Sequence, residues 1–144
     1  MCIRDRSETE PGLARDGTEP QLQAWIAQHP EVIEPDAQFI AREYQTGAGP
    51  IDLLLVDVNG IPLAVEVKRT ASLAVVGQVQ RYLSAMREQE GMADVRGVIA
   101  ALDIRPKTAE LAAKRGIICV TLPRSWRTVV SETVITVDDS SNLT

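Results

Sequence analysis

A chain of 144 residues with 44% hydrophobic and only 3% aromatic content is long enough for one domain, with a core built from Val, Leu, Ile and Ala. No apolar run approaches the ~20 residues that span a bilayer, no secretory signal is visible, and two cysteines give no disulfide framework. These features predict a cytoplasmic protein without membrane association. The net charge of −5 argues against general nucleic-acid binding, but the charge is uneven. Residues 1–36 carry three Arg and eight acids, residues 128–144 carry three acids and no base, and residues 37–127 carry twelve bases and nine acids.

Residues 1–17 read as a disordered or non-native leader, polar and broken by Pro11, Gly12 and Gly17. The opening MCIRDR is similar to translated adapter DNA and is set aside. A helix is predicted from Thr18, where Thr18 and Gln21 form a capping box and Pro20 suits the first turn. Leu22, Trp25, Ile26 and His29 then make one apolar stripe. Pro30 ends it, and Glu31–Ile33 adds a short helical turn. Glu19 lies at the helix N-terminus, where dipole compensation is the ordinary explanation.

Ala37–Gln45 is predicted as the first strand, with Phe39, Ala41 and Glu43 on one face and Ile40, Arg42 and Tyr44 on the other. The Thr46–Pro50 loop leads into a hairpin, whose apolar runs Ile51–Val58 and Ile61–Val67 flank Asn59-Gly60. Three hairpin residues are out of character: Asp52, Glu66 and Lys68. A two-residue turn would pair Val58 with Ile61 and send Asp52 and Glu66 to opposite faces. A three-residue loop, with Gly60 left-handed, pairs Asp57 with Ile61 and sets Asp52 across from Glu66. The odd-length loop, or an equivalent bulge, is the expectation.

Ser72–Gln89 is predicted as the longest helix, with Leu73, Val76, Val79 or Gln80, Leu83 and Met86 buried. Gln78 and Tyr82 share a neighbouring face beside Arg81. Val95–Ala101 reads as a central strand, Pro106–Arg115 as a short helix closed by Gly116, and Ile117–Leu122 as a further buried strand. Helical crossovers between the later strands favour parallel neighbours, hence an α/β domain with a mixed sheet. In residues 124–144, a C-terminal tail, Trp126 is expected to pack back and Thr133–Val137 to form an edge strand.

Asp52 and Glu66 are hard oxygen ligands suited to Mg²⁺ or Mn²⁺, with the Val67 carbonyl beside them. A metal there would activate water and neutralise charge on a phosphate, and Lys68 would stabilise the transition state. Glu19 would hold a second metal if the first helix docks over the strand ends. Gln78 and Tyr82 would position phosphate or water. Arg42, Arg69 and Arg81 are the cations expected to meet a DNA backbone. Glu-x-Lys alone is a weak signal, and solvated strand ends explain it well.

Five further segments occur with it in order. They are Glu19 before Leu-x-x-Trp-Ile, GAGPIDLL at 47–54, EVKR at 66–69, Gln78-x-x-Arg81-Tyr82-Leu83, and GVIA at 97–100. Together with PKTAELAAKRGIICV at 106–120, they resemble the C-terminal nuclease domain of the NucS/EndoMS mismatch-specific endonucleases. That domain belongs to the PD-(D/E)xK, restriction-endonuclease-like or RecB-like superfamily. The resemblance covers roughly Thr18 to Leu122 and implies a restriction-endonuclease-like domain at 18–123, with a central mixed β-sheet flanked by helices. It implies a Mg²⁺-dependent endonuclease that cuts both strands of mismatched duplex DNA in repair. Glu19, Asp52 and Glu66 match the family's carboxylates, Lys68 its catalytic lysine, and Gln78 and Tyr82 its Gln-x-x-x-Tyr pair. A homodimer is implied for double-strand cutting. The family's N-terminal dimerisation and DNA-binding domain has no counterpart here, so a truncated fragment or a short stand-alone relative is expected. Some members bind a sliding clamp through a C-terminal motif, of which SETVITVDDSSNLT shows no convincing version. A non-catalytic nucleic-acid-binding domain of the same fold, or a defence nuclease acting on another DNA structure, are the competing readings.

Overall fold

A computed structural model of the chain describes residues 17–127. Within them helix α1 (Glu19–Gln28) and a 3₁₀ turn (Pro30–Val32) precede three strands, β1 (Gln38–Thr46), β2 (Gly49–Val56) and β3 (Pro62–Ala71). Helix α2 (Leu73–Met86), β4 (Arg96–Ile104), helix α3 (Pro106–Lys114) and β5 (Ile118–Thr121) follow. The edge strand expected at Thr133–Val137 and nearly all of the leader lie outside the described residues. Among those residues, no helix is long and apolar enough to cross a membrane.

The sheet runs β1-β2-β3-β4-β5, antiparallel across the first three strands and parallel across the last three. This is the mixed sheet expected from the crossovers, because a short hairpin makes an antiparallel pair and a helical return makes a parallel one. Helices cover both faces. Leu22, Trp25 and Ile26 of α1 pack on Leu53, Leu55, Leu63, Val65 and Val67. Val76, Val79, Leu83 and Met86 of α2 pack on Leu54, Ala64, Ile99 and Ala101. The closest approach is over Gly97, where a Cβ would stand 2.8 Å from Leu83 and 3.1 Å from Val79. At α1 the expected capping box forms, with Thr18 Oγ1 accepting from Gln21 N and Gln21 Oε1 accepting from Thr18 N.

The hairpin takes the three-residue loop. Val56 pairs with Pro62, the Asp57 N–H donates to the Ile61 carbonyl at 2.9 Å, and Gly60 sits at φ +82°. Asp57 explains the choice, because its Oδ1 accepts from both Asn59 N (2.8 Å) and Ile61 N (2.9 Å), closing the loop from inside.

Three expectations change. β1 does not keep one alternation, because its register against β2 slips by one between Phe39 and Ala41. Phe39 then pairs with Leu55 on the α1 face, whereas Ala41 pairs with Leu54 on the α2 face. Leu73 is 49% exposed, since it occupies the first position of α2, and Val75 takes the buried place in that turn. The helix also stops at Met86, three residues early, and continues as turn.

Candidate active site

The site lies where β2 parts from β3. The recorded ladder ends at Leu53–Val65, and its register carried one step further sets Asp52 across from Glu66. Asp52 does not continue the backbone pairing. Its side-chain Oδ2 accepts the Val67 N–H at 2.8 Å instead. Two residues further along β3, the Arg69 N–H donates to Glu19 Oε2 at 3.1 Å. Two carboxylates from different elements thus occupy the donors that β2 would otherwise have taken. An extended residue turns its N–H and C=O toward the same neighbouring strand, so the Val67 carbonyl faces this gap as well.

Glu66 and Lys68 alternate with Val65 and Val67, which belong to the α1 face, and so project toward α2. Lys68 Nζ stands 3.8 Å from Glu66 Oε2, with the carboxylate side chain 5% exposed and the lysine 28%. Glu66 Oε1 is buried and has no hydrogen-bond partner. Burial, followed by the Asp52 charge beside it, pushes the Glu66 carboxyl up to about 8, against the pull of Lys68. Asp52 is raised too, chiefly by burial, with the Val67 N–H and Lys68 working the other way.

The Glu19 charge adds to the rise of both carboxyls, behind burial. Its role in holding α1 to β3 exceeds the dipole compensation that its position suggests. Gln78 Nε2 donates to the Tyr82 hydroxyl at 2.9 Å, and Tyr82 is buried in the α2 core, its ring 3.6 Å from where a Gly49 Cβ would stand. These two residues bond one another rather than the carboxylates.

The three arginines separate. Arg42, expected to meet DNA, has its guanidinium on Gln23 Oε1 at 3.1 Å and the Pro20 carbonyl at 3.4 Å. It ties β1 to α1 and so helps seat Glu19. Arg69 is half-buried, with its N–H on Glu19. Arg81 is exposed and lines a groove of about 790 Å³ between α2 and the Gly47-Ala48 turn.

One further acid enters the neighbourhood. The slipped register of β1 sets Glu43, between Arg42–Leu53 and Tyr44–Ile51, across from Asp52. Its φ is +53°, a conformation that side-chain-bearing residues rarely adopt, and its charge raises Asp52. Neither strand keeps its pleat at this level. Ala41 and Tyr44 both lie on the α2 side, as do Ile51 and Leu54. The sequence signal would have been the bulge at Ile40, which no Gly or Pro marks.

Among the described residues no group of three or more Asp, Glu, His or Cys side chains converges at metal-binding distance. The donor set that fits a cation is the Asp52–Glu66 pair with the Val67 carbonyl. The orphaned, buried Glu66 Oε1 is the atom that lacks a partner. Hard oxygen donors of this kind suit Mg²⁺ or Mn²⁺.

A family model described as the endonuclease NucS C-terminal domain matches residues 18–137. An endonuclease NucS of Corynebacterium kroppenstedtii is 42% identical over 113 residues, covering 78% of this chain and 45% of the relative. One of Mycolicibacterium smegmatis is 44% identical over 113 residues, covering 78% and 50%. The chain therefore spans about half the length of the curated relatives it matches. Among solved structures, a repair endonuclease from Pyrococcus abyssi superposes with a TM-score of 0.69 at 30% identity, over 74% of this chain and 47% of that one. EndoMS in a complex with double-stranded DNA superposes with a TM-score of 0.68 at 31% identity, over 75% and 45%. The five-stranded mixed sheet with flanking helices is thus a restriction-endonuclease-like fold.

Proposed function

The chain belongs to the endonuclease NucS C-terminal domain family, and from that premise we propose that it is a Mg²⁺- or Mn²⁺-dependent endonuclease that hydrolyses phosphodiester bonds of DNA. The observation that carries this reading is the half-buried Asp52 and the buried Glu66, set across from each other where the hairpin parts, with Lys68 3.8 Å from Glu66. A buried carboxylate with a partnerless oxygen, beside a second, half-buried one, is costly unless something positive joins them.

A divalent ion held by Asp52, Glu66 and the Val67 carbonyl would supply Lewis acidity toward the phosphate and lower the pKa of a bound water. The chain's own groups do the rest. The Val67 N–H fixes the Asp52 carboxylate at 2.8 Å. Glu19 caps Arg69 N and keeps α1 over the gap, while Arg42 braces that helix from β1. Lys68 is the cation beside Glu66, placed to steady charge on the phosphate oxygens. Water attacks phosphorus, the bond from phosphorus to the leaving ester oxygen breaks, and that oxygen takes up a proton. Gln78 and Tyr82 hold one another on the helix above this face and position substrate or water, and Arg81 in its groove meets the DNA backbone.

Mismatched duplex DNA is the substrate we infer, with repair as the setting and the cytoplasm as the compartment. Cutting both strands would use a homodimer. The stretch where a sliding-clamp motif would lie is outside the described residues. The experiment is incubation of the purified chain with matched and mismatched duplexes, with Mg²⁺, Mn²⁺ or EDTA, beside Asp52→Ala and Lys68→Ala. Metal-dependent cutting lost in both variants supports the reading, and cutting that survives Asp52→Ala refutes the site.

A further inference from the structure

Beyond Lys68, β3 and β4 end together. They run parallel in register to Ala71–Ile104, and each turns directly into a helix, with Ser72 as N-cap of α2 and Arg105 as N-cap of α3. The Arg105 N–H donates to the Ala71 carbonyl at 3.3 Å, so the two helix starts are bonded side by side. Neither N-cap makes a side-chain cap hydrogen bond. The first N–H groups of a helix have no acceptor within it and carry the positive end of its dipole. Leu73 and Ala74 on α2, and Lys107 and Thr108 on α3, which carry such groups, line one cleft of about 730 Å³.

Three side chains strengthen the case for an anion. Arg105 and Lys107 line the cleft, are exposed, and make no ion pair among the described residues. Thr108 lines it too, with no exposed surface, and its hydroxyl oxygen is buried without a hydrogen-bond partner. A buried hydroxyl with nothing to bond is expensive in a folded chain and points to a group that arrives from outside. Apart from Ser72, the rest of the wall is apolar: Ala74, Pro106 and Leu73, which is 49% exposed. Paired dipoles, two cations, a waiting hydroxyl and an apolar rim suit a phosphate that carries a sugar. The crevice beyond the carboxyl ends of parallel strands is where ligands of such folds commonly sit.

We propose that this cleft is a second phosphate-binding position, which grips the DNA backbone away from the bond being cut. The proposal rests on the nuclease reading above. Four extended residues from Lys68 to Ser72 cover roughly 13 Å. Duplex DNA advances about 3.4 Å per base pair. The gripped phosphate therefore lies about three to four base pairs from the scissile one, far enough to set the direction of the strand across the site.

The test is duplex binding by the whole chain in EDTA, followed by fluorescence anisotropy between 50 and 200 mM KCl. Arg105→Ala/Lys107→Ala lowers the salt slope by about one, the share of a single phosphate, and weakens binding to all sequences alike. Thr108→Val weakens binding several-fold, and Thr108→Ser restores it. In the unaltered chain, duplex DNA shifts the amide resonances of Ala74, Lys107 and Thr108. An unchanged slope in the double variant, with wild-type binding and cleavage intact, overturns the second position alone. A wild type that neither binds nor cuts DNA overturns the nuclease reading and this proposal with it. Amide shifts produced by inorganic phosphate but not by DNA overturn the assignment to the DNA backbone.

Discussion

The two ends of the β2–β3 hairpin carry the same residue type in opposite circumstances. At the turn, Asp57 accepts from the Asn59 and Ile61 N–H groups and from Arg96 Nη1 at 2.8 Å, while Arg96 also holds Glu34 at 2.5 Å. The Ile61 N–H above all, with Asn59 and Arg96, holds the Asp57 carboxyl below the usual range. At the parted end, Asp52 has one backbone donor, Glu66 has an oxygen with none, and both are raised. One end spends its charges on closing a loop, and that end sets the register. The other end receives that register as two opposed carboxylates left short of positive charge. The loop-closing Asp57 and the proposed site at Asp52 are thus separated along a single hairpin by about five residues.

The comparison can be broken most forcefully at the parted end. Lys68→Ala is expected to slow cleavage by about 10²–10³-fold, and Asp52→Ala by at least as much, with far-ultraviolet circular dichroism unchanged. Single-turnover assays on duplex DNA check this. Glu66→Gln is expected to abolish cleavage and yet stabilise the metal-free protein. With its folded pKa pushed up to about 8 from the ordinary 4.5, Glu66 keeps a proton that the unfolded chain has released. Stability therefore falls as pH rises from about 4.5 to 8 and levels off above. At pH 8 the gain from Glu66→Gln is on the order of 4 kcal/mol, read as a higher urea midpoint in EDTA. A wild-type protein whose stability is flat across that window contradicts the account.

At the turn end the expected effects are smaller and reversed in kind. Arg96→Met leaves Glu34 and Asp57 without their cation and lowers the melting temperature by roughly 5 °C, with cleavage per folded molecule preserved. Asp57 supplies the mildest effect. Because its folded pKa is depressed, its contribution is complete above the ordinary carboxylate range and is lost as pH falls through the depressed value. Asp57→Asn should lower stability modestly near neutrality, where that contribution is complete, and leave it nearly unchanged in acid, so that the acid limb flattens, which urea titrations at pH 3, 4 and 7 will show.

What could be read in advance follows the range of the interactions. The strand and helix order was legible because Gly and Pro punctuate the apolar runs. The three-residue turn was legible because only odd parity brings Asp52 to Glu66. The Arg96 clamp was not, since its partners Glu34 and Asp57 lie 62 and 39 residues away and look like solvated charges in a linear string. The tie of Arg42 to α1 was hidden for a similar reason, because its acceptors there lie 19 and 22 residues upstream. Glu43 escaped notice because one slipped residue at Ile40 moves it opposite Asp52, and an unpunctuated bulge leaves no local mark. Leu73 fits a helical stripe by spacing, yet the stripe begins at Val75, after the first turn has opened into the cleft shared with α3.

The central claim is that the opposed carboxylates of the parted hairpin end take a divalent cation. Mn²⁺ titration of the isotopically labelled protein at pH 7.5 tests it through paramagnetic broadening of backbone amides. The account predicts that Val67 and Arg69 broaden first at substoichiometric Mn²⁺, that added Mg²⁺ competes the effect away, and that Glu66→Gln abolishes it. Broadening that begins elsewhere, or that persists unchanged in Glu66→Gln, would contradict it.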